Sequence, residues 1–134
     1  MGYTHYWTVK EPVTKEQFKK FGEGVLTLVD TADEAGIGLA VYFNAGSFQI
    51  NGVGKGEHET FHFGFDTLGF NFCKTAQKPY DAVVTASLIL AKKIFGDSIE
   101  VKSDGSWLDW SEGAVLFEQV FGYEPQSILG ESNG

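Results

Sequence analysis

The stretch from Pro79 to Phe95 is apolar nearly all round, and this constrains the fold more than any other segment. A helix of that kind has no polar face to present to water, so the rest of the chain must cover it. Lys92, Lys93 and Gly96 are stop signals at its end, and Pro79 suits the first helical position. We therefore predict a central core helix over residues 79–95.

An amphipathic helix is predicted upstream of it. Thr14 and Gln17 form a capping box, and apolar residues then follow at helical spacing toward Gly36. Gly22 and Gly24 interrupt this pattern, and each costs a helix interior about 1 kcal/mol relative to alanine. A third helix is predicted from near Asp109, where a further apolar stripe begins.

Short apolar runs punctuated by glycine fill the region between Gly36 and Cys73, which indicates an antiparallel meander. The predicted strands are Tyr3–Val9, Leu39–Phe43, Phe48–Ile50, Thr60–Phe65, Phe70–Cys73 and Ile99–Lys102. Alternation in the first of them puts Tyr3, His5 and Trp7 on one face and Thr4, Tyr6 and Thr8 on the other, so both faces carry large groups. The sequence thus predicts a single α+β domain over residues 1–125, in which an antiparallel sheet of about five strands packs with three helices. A flexible tail is expected over residues 126–134.

Composition narrows the classes of function. The chain of 134 residues contains ten lysines and no arginine, and its net charge of −8 argues against a general nucleic-acid binder. The charge does not exclude a protein that binds a small anionic ligand. The single cysteine excludes an internal disulfide and fits a reducing cytosol, and no run approaches the roughly 18 apolar residues of a membrane span. We expect a soluble cytoplasmic protein without a membrane or nucleic-acid partner.

The loop before the core helix carries the features of an anion site. Lys74, Thr75 and Lys78 lie between a strand-like aromatic segment and the predicted helix start. Unpaired N–H groups and the positive end of the helix dipole favour a phosphate or carboxylate at such a point. The alternative is a solvated loop whose two lysines have no ligand.

The segment His58–His62 matches the H-E-x-x-H pattern of zinc proteases, in which both histidines share a helix face and the glutamate is the base. Here glycines and phenylalanines favour a strand. Four residues of strand span about 13 Å, too far for two histidines that must each lie about 2 Å from one zinc ion. We expect no metal site and no cofactor.

The cysteine, the carboxylates and the polar aromatic residues each allow more than one role. Cys73 adjoins Lys74, which favours a thiolate nucleophile, whereas a buried apolar role is the simpler interpretation. No spacing selects an acid–base pair among the carboxylates Glu57, Glu59, Asp81 and Asp104. Aromatic residues with polar handles lie near predicted strand ends and could stack on a planar ring: Tyr3, Tyr6, Trp7, Tyr80 and Trp110.

Several segments resemble those of a family of small proteins found in bacteriophages, prophages and some bacterial genomes, which is catalogued chiefly as of unknown function. The segments that carry the resemblance are Gly2–Trp7, Asn51-Gly52, His58–Phe61, Phe72–Thr75, Lys78–Asp81, Ser103–Gly105 and Asp109-Trp110. His62 falls outside the family motif, which weakens the zinc-protease interpretation further.

The resemblance implies a single pocket, because its motif residues come from separate segments at predicted strand ends and turns. Lys74, Thr75 and Lys78 are expected to hold phosphate, and Trp7 and Tyr80 to stack on a ring. The expected ligand-binding residues are His5, Trp7, Asn51, His58, Glu59, Thr60, Lys74, Thr75, Lys78, Tyr80, Asp81, Ser103 and Asp104.

By analogy with phage proteins that capture nucleotide signals, the favoured function is non-enzymatic. The protein would bind and sequester a nucleotide-derived signalling molecule of host antiviral defence. One alternative is a small phosphoester or nucleotide hydrolase with His5 or His58 as base and Glu59 or Asp81 assisting. The other is an acidic inhibitor that binds a host protein. A homo-oligomer with a pocket at its interface also stays open.

Overall fold

The computed structural model describes residues 3–129, which form six strands and three helices. Their bounds are β1 (Thr4–Val9), α1 (Lys15–Glu34), β2 (Leu39–Phe43), β3 (Ser47–Gly52), β4 (Phe61–Gly64), β5 (Gly69–Lys74), α2 (Asp81–Phe95), β6 (Ile99–Ser103) and α3 (Ser111–Phe121). The α+β class and the three helices are confirmed. Every predicted strand is present within a residue or two of its expected bounds.

The expectation of one sheet of about five strands is wrong, because the strands form two antiparallel sheets of three. The first sheet has the order β5–β1–β6 and the second β2–β3–β4. The two sheets meet at Trp7 of β1, whose ring stacks on Phe63 of β4 with centroids 6.2 Å apart. Local hairpins build the second sheet, whereas β1 joins two strands far away in the sequence, a pairing that no local pattern specifies.

Helix α1 begins and ends as predicted. Thr14 Oγ1 accepts the Gln17 N–H and Gln17 Oε1 accepts the Thr14 N–H, both at 3.0 Å, which confirms the capping box. Gly36 follows the helix with a φ of 97°, a left-handed conformation that favours glycine. The apolar stripe of α1 packs into an aromatic cluster, in which Phe21 contacts Phe63 and Phe95.

Helix α2 is the central core helix that its composition predicts, with eleven of its fifteen residues buried. It begins two residues later than expected. Pro79 lies in the preceding turn rather than at the first helical position, because the Asp81 N–H bonds to the Lys78 carbonyl oxygen at 2.8 Å. Lys92 Nζ closes the other end by donating to the carbonyl oxygens of Gly96 and Ile99.

Helix α3 packs closely against α2. A Cβ atom on Gly113 would lie 1.9 Å from Thr85 Oγ1, so only glycine fits at this crossing. A single 3₁₀ turn, Leu108–Trp110, precedes α3, so the helix itself starts later than predicted. Within the expected tail, Ile128 and Leu129 pack partly against the core, and residues 130–134 lie outside the described part of the chain.

Candidate functional site

His5 lies at the centre of a buried polar cluster on the inner face of the first sheet. Its side chain has no exposed surface. Nε2 lies 2.6 Å from Asp81 Oδ1 at the start of α2, and Nδ1 lies 2.8 Å from Ser103 Oγ at the end of β6. Register explains the second contact, since His5 and Ser103 are directly opposed in the β1–β6 pair. Three segments distant in sequence therefore meet at one imidazole.

The hydrogen bonds that Ser103 accepts determine which atoms donate in the series Ser103–His5–Asp81. The Gly105 N–H and the Trp110 Nε1–H both donate to Ser103 Oγ, at 2.9 and 3.2 Å. Because these two bonds fill the acceptor sites of the hydroxyl, Ser103 donates its own hydrogen to His5 Nδ1. His5 then carries its proton on Nε2 and donates it to Asp81. A serine, a histidine and an aspartate are thus linked in the order of a proton relay.

Asp81 is also the acceptor for a second buried side chain. Thr75 is fully buried, and its Oγ1 donates to Asp81 Oδ1 at 2.5 Å. Aromatic rings close the cluster on either side: Tyr3 and Trp110 each contact the His5 ring edge-on, with centroids 5.1 Å away. Partial burial, and then the negative charges of Asp81 and Asp109, raise the pKa of Tyr3 to about 12. The surroundings of His5 are therefore acidic.

This arrangement does not fit the expected phosphate site at the start of α2. Thr75 is buried and bonded to Asp81, so its hydroxyl is not free for a phosphate. Asp81 places a carboxylate at the positive end of the helix dipole, where the anion was expected. The first N–H groups of the helix bond to preceding carbonyls, as with Val83 and the Tyr80 oxygen at 2.9 Å. The sequence could not show this, because it does not reveal that Asp81 turns back toward Thr75.

Asn51 shapes the loop that contains the H-E-x-x-H pattern. Its Oδ1 accepts the His58 N–H at 3.0 Å, and its Nδ2 donates to the His58 carbonyl and to Thr60 Oγ1 at 2.9 and 3.1 Å. His58 and Thr60 are exposed in irregular backbone, and His62 lies on β4. Asn51 and Thr60 also line a shallow cavity of about 310 Å³.

Glu59 fastens this loop to β5. Its backbone carbonyl accepts hydrogen bonds from Tyr80 Oη at 2.5 Å and Cys73 Sγ at 3.4 Å, and its carboxylate accepts the Lys74 N–H at 2.8 Å. Burial, and then the nearby Glu59 charge, raise the pKa of the Cys73 thiol to about 12. The thiolate is disfavoured, so Cys73 behaves as a buried packing residue rather than as a nucleophile.

Trp7 and Tyr80 lie too deep for the stacking role expected of them. Trp7 is 1% exposed and packs between Phe61 and Phe63, and Tyr80 has no exposed surface. Lys74 is half-buried at the end of β5, while Lys78 is half-buried in the turn before α2, where its N–H donates to the Thr75 carbonyl oxygen. The expected stacking roles of Trp7 and Tyr80 are therefore wrong, because neither ring is accessible to a ligand.

The motif segments nevertheless form one connected network of contacts. His5, Thr75, Asp81 and Ser103 share the buried cluster, and Asp104 Oδ2 accepts the Thr4 N–H at 3.0 Å. Asn51 and Glu59 join the remaining segments to it through the loop at His58–Thr60 and the end of β5. The structure brings the expected residues together, but most of them bond to one another.

The outer face of the first sheet carries an exposed aromatic surface, of which Tyr6 was expected to be able to stack on a ring and the two phenylalanines were not. Phe70 and Phe72 of β5 are 65% and 56% exposed. Tyr6 of β1 stacks on Phe70 with centroids 6.0 Å apart and an interplanar angle of 21°. Tyr6 is paired in register with Phe72 on one side and Lys102 on the other. We call Tyr6, Phe70 and Phe72 the aromatic face.

Asp104 connects the aromatic face with the buried cluster. Its Oδ1 accepts a hydrogen bond from Tyr6 Oη at 2.9 Å, and this bond raises the pKa of the Tyr6 hydroxyl. Strict alternation along β1 was the signal that could have found this face. It predicted large groups on both sides, and pairing with β5 then puts Phe70 and Phe72 beside Tyr6.

The turn between β5 and α2 has an unusual backbone. Ala76 and Gln77 have φ values of 54° and 56°, and the Lys78 N–H bonds to the Thr75 carbonyl oxygen at 3.0 Å. Two consecutive left-handed residues inside such a bond form the turn that Asn-Gly usually occupies. Residues with a Cβ atom are strained in this region by about 1–2 kcal/mol each.

Within residues 3–129, no helix has the length and apolar character needed to cross a membrane, and no group of three or more His, Cys, Asp or Glu side chains is arranged to bind a metal ion. No protein-family model matches the chain, and neither do any curated protein or solved structure.

Proposed function

We propose that the protein binds a phosphorylated nucleoside on the aromatic face and does not cleave it. The observation that carries this proposal is a cluster of three rings on a three-stranded sheet, in which Phe70 and Phe72 are more than half exposed and Tyr6 is partly exposed. Apolar rings grouped on a surface mark a contact site, and nucleobases stack on such rings whatever their hydrogen-bonding edge.

Two lysines on the same face, which also carries the carboxylates of Glu100 and Asp104, supply the positive charge that a phosphate needs. Lys102 stands beside Tyr6, and Lys74 follows Phe72 two positions along β5. Within the described residues the ion pair found is His5–Asp81, so the ammonium groups of Lys74 and Lys102 carry no salt bridge there. Strands lie about 4.8 Å apart, so one ligand of roughly 10 Å can reach both Phe72 and Lys102.

Asp104 supplies the acceptor that a nucleobase needs. Its carboxylate lies at the edge of the aromatic face, bonded to Tyr6 Oη. An amino group on a base stacked on this face would have this carboxylate as its acceptor. In the phage context that the resemblance implies, the ligand would be a nucleotide-derived signal of host defence, and the protein would sequester it.

Titration calorimetry with AMP, ADP-ribose and cyclic dinucleotides tests the proposal. Loss of one stacking ring in Phe72→Ala should weaken the best ligand about 5- to 100-fold, because stacking contributes about 1–3 kcal/mol per base. Lys102→Gln should weaken it less and reduce its salt dependence. Tyr42→Ala, which removes a 58% exposed ring from the second sheet, is the matched control and should bind like the wild type.

Mass spectrometry of the ligand released by heat separates binding from cleavage. Intact nucleotide supports sequestration. Two outcomes would contradict the aromatic face as a binding site. One is that Phe72→Ala and Tyr42→Ala bind with equal affinity. The other is that no nucleotide binds saturably, including those captured from a lysate of phage-infected cells.

The Ser103–His5–Asp81 chain favours a hydrolase as a second candidate function. In that case His5 would take the Ser103 proton while Asp81 stabilises the imidazolium. Two features oppose it: His5 has no exposed surface, and Ser103 Oγ already accepts two N–H bonds. Release of product from a nucleotide or phosphoester, with a loss of at least 100-fold in Ser103→Ala, would support this candidate over binding alone.

A further inference from the structure

An open groove runs along helix α1, and none of the residues that line it belongs to the motif segments. It has a volume of about 630 Å³ and lies between the helix and the turn that joins β2 to β3. Its apolar walls come from Phe18 and Leu26 of α1, from Phe43 of β2 and from Phe65, which directly follows β4. Cavities of about 300–1,000 Å³ with mostly apolar walls are typical of small-molecule sites.

Gly22 forms part of this groove without any internal reason to be glycine. A Cβ atom added there would meet no atom within 4 Å, and its φ is not in the left-handed region. Gly24, two residues later, differs: its Cβ would lie 2.5 Å from Leu90 Cδ2, so close helix packing requires a small residue. Gly22 costs α1 about 1 kcal/mol relative to alanine and leaves open space in return.

Two lysines lie at the N-terminal end of the groove. Lys15 and Lys19 are four residues apart on α1, a spacing at which like charges repel. Neither has an ion pair within the described residues, although Glu23 follows Lys19 at the spacing that favours one. The dipole of the 20-residue helix adds positive potential at this end. An anionic group there would relieve the repulsion.

We propose that this groove binds an amphiphilic anion, meaning an aromatic or branched apolar group that carries one carboxylate or sulfonate. The acidic group lies at Lys15 and Lys19, and the apolar group fills the space over Gly22 toward Leu26. Glu23 sets the orientation, because its carboxylate repels an anion from the middle of the groove. This site is independent of the aromatic face.

Fluorescence titration with anilinonaphthalene sulfonate, an aromatic sulfonate, tests the proposal on the folded wild-type chain. We expect saturable binding at one site that persists in Phe72→Ala, a variant that disrupts the aromatic face but not the groove. Gly22→Leu fills the groove and should weaken binding at least 10-fold, while Gly22→Ala should weaken it less. Lys19→Gln should weaken binding several-fold, and Glu23→Gln should leave it equal or tighter. The uncharged phenylnaphthylamine should bind at least 10-fold more weakly.

Lys20→Gln is the matched control, because Lys20 follows Lys19 but lines a separate cavity on the other side of α1. An effect of Lys20→Gln equal to that of Lys19→Gln, or unchanged binding in Gly22→Leu, would overturn the site. So would equal affinity for the charged and uncharged probes. A dimer in sedimentation that Gly22→Leu converts to a monomer would assign the groove to a second copy instead.

Discussion

The two faces of the first sheet use neighbouring residues of one strand in opposite ways. His5 points inward, where both ring nitrogens have partners and no surface is exposed. Tyr6, the next residue, points outward and lies among rings that are more than half exposed. Alternation in a strand separates the faces, and β5 and β6 extend both of them across three strands.

The contrast separates residues that hold the fold from residues that are free to bind something else. A buried polar group needs partners, and on the inner face His5, Thr75 and Ser103 find them in one another and in Asp81. The exposed rings of Phe70 and Phe72 contact their neighbours on the sheet, but more than half of their surface has no partner in the chain. The outer face is therefore the better candidate for a ligand, even though most motif residues lie inside.

Removal of Asp81 should produce the largest effect. In Asp81→Ala, His5 Nε2 and Thr75 Oγ1 both lose their acceptor inside the fold, and we expect a loss of about 3 kcal/mol in the free energy of unfolding. Asp104→Ala, which removes a carboxylate from the outer edge, should cost about 1 kcal/mol because water replaces it. Urea unfolding of both variants measures the difference, and equal losses would contradict the division between the two faces.

Local sequence patterns predicted the helices and strands of this fold. The pairing of the strands and their packing then determined which side chains are buried. Alternation found β1 and the capping box found the start of α1, because both signals lie within a few residues. The burial of Trp7 and Tyr80 could not be found in this way. It depends on how the first sheet packs against the second, and the sequence does not specify which strands become neighbours.

The candidate site was predicted as a set of residues but not as a chemical arrangement. Hydrogen bonds connect the motif segments, yet Thr75 and Asp81 bond to each other rather than to a ligand. The sequence predicted that Phe70 and Phe72 lie on a strand, but not which face of the sheet their side chains occupy. Their exposure follows from the inward direction of Cys73 between Phe72 and Lys74, which only the packed structure reveals.

High pH should lower the free energy of unfolding through the ionisation of Cys73, which lies on the inner face. Burial raises the pKa of this thiol from its ordinary value of 9.0 to about 12, so the folded chain keeps a proton that the unfolded chain loses. Its contribution to stability is complete below pH 8.5 or so and is lost as the pH rises toward 12, at about 1.4 kcal/mol per pH unit above the ordinary pKa.

Cys73→Ala removes this component, while Tyr3 and Tyr80 remain in both proteins. Between pH 8 and pH 10.5, the unfolding free energy of the wild type should therefore fall by about 2 kcal/mol more than that of the variant. Denaturant titrations at four pH values measure both slopes. Parallel curves would mean that Cys73 ionises as easily in the folded chain as in the unfolded one.

The smallest effect concerns the turn at Ala76 and Gln77, which leads from the outer face to the inner one. Ala76→Gly relieves left-handed strain but adds freedom to the unfolded chain, so we expect a net gain of about 0.5–1 kcal/mol. Ala45→Gly, in a turn where φ is not left-handed, should instead lose a similar amount. If Ala76→Gly stabilises the fold and leaves nucleotide affinity unchanged, the strain serves only the Thr75–Asp81 bond. A fall in affinity would show that the turn positions Lys74 or Lys78 for the ligand, and the two faces would then form one site.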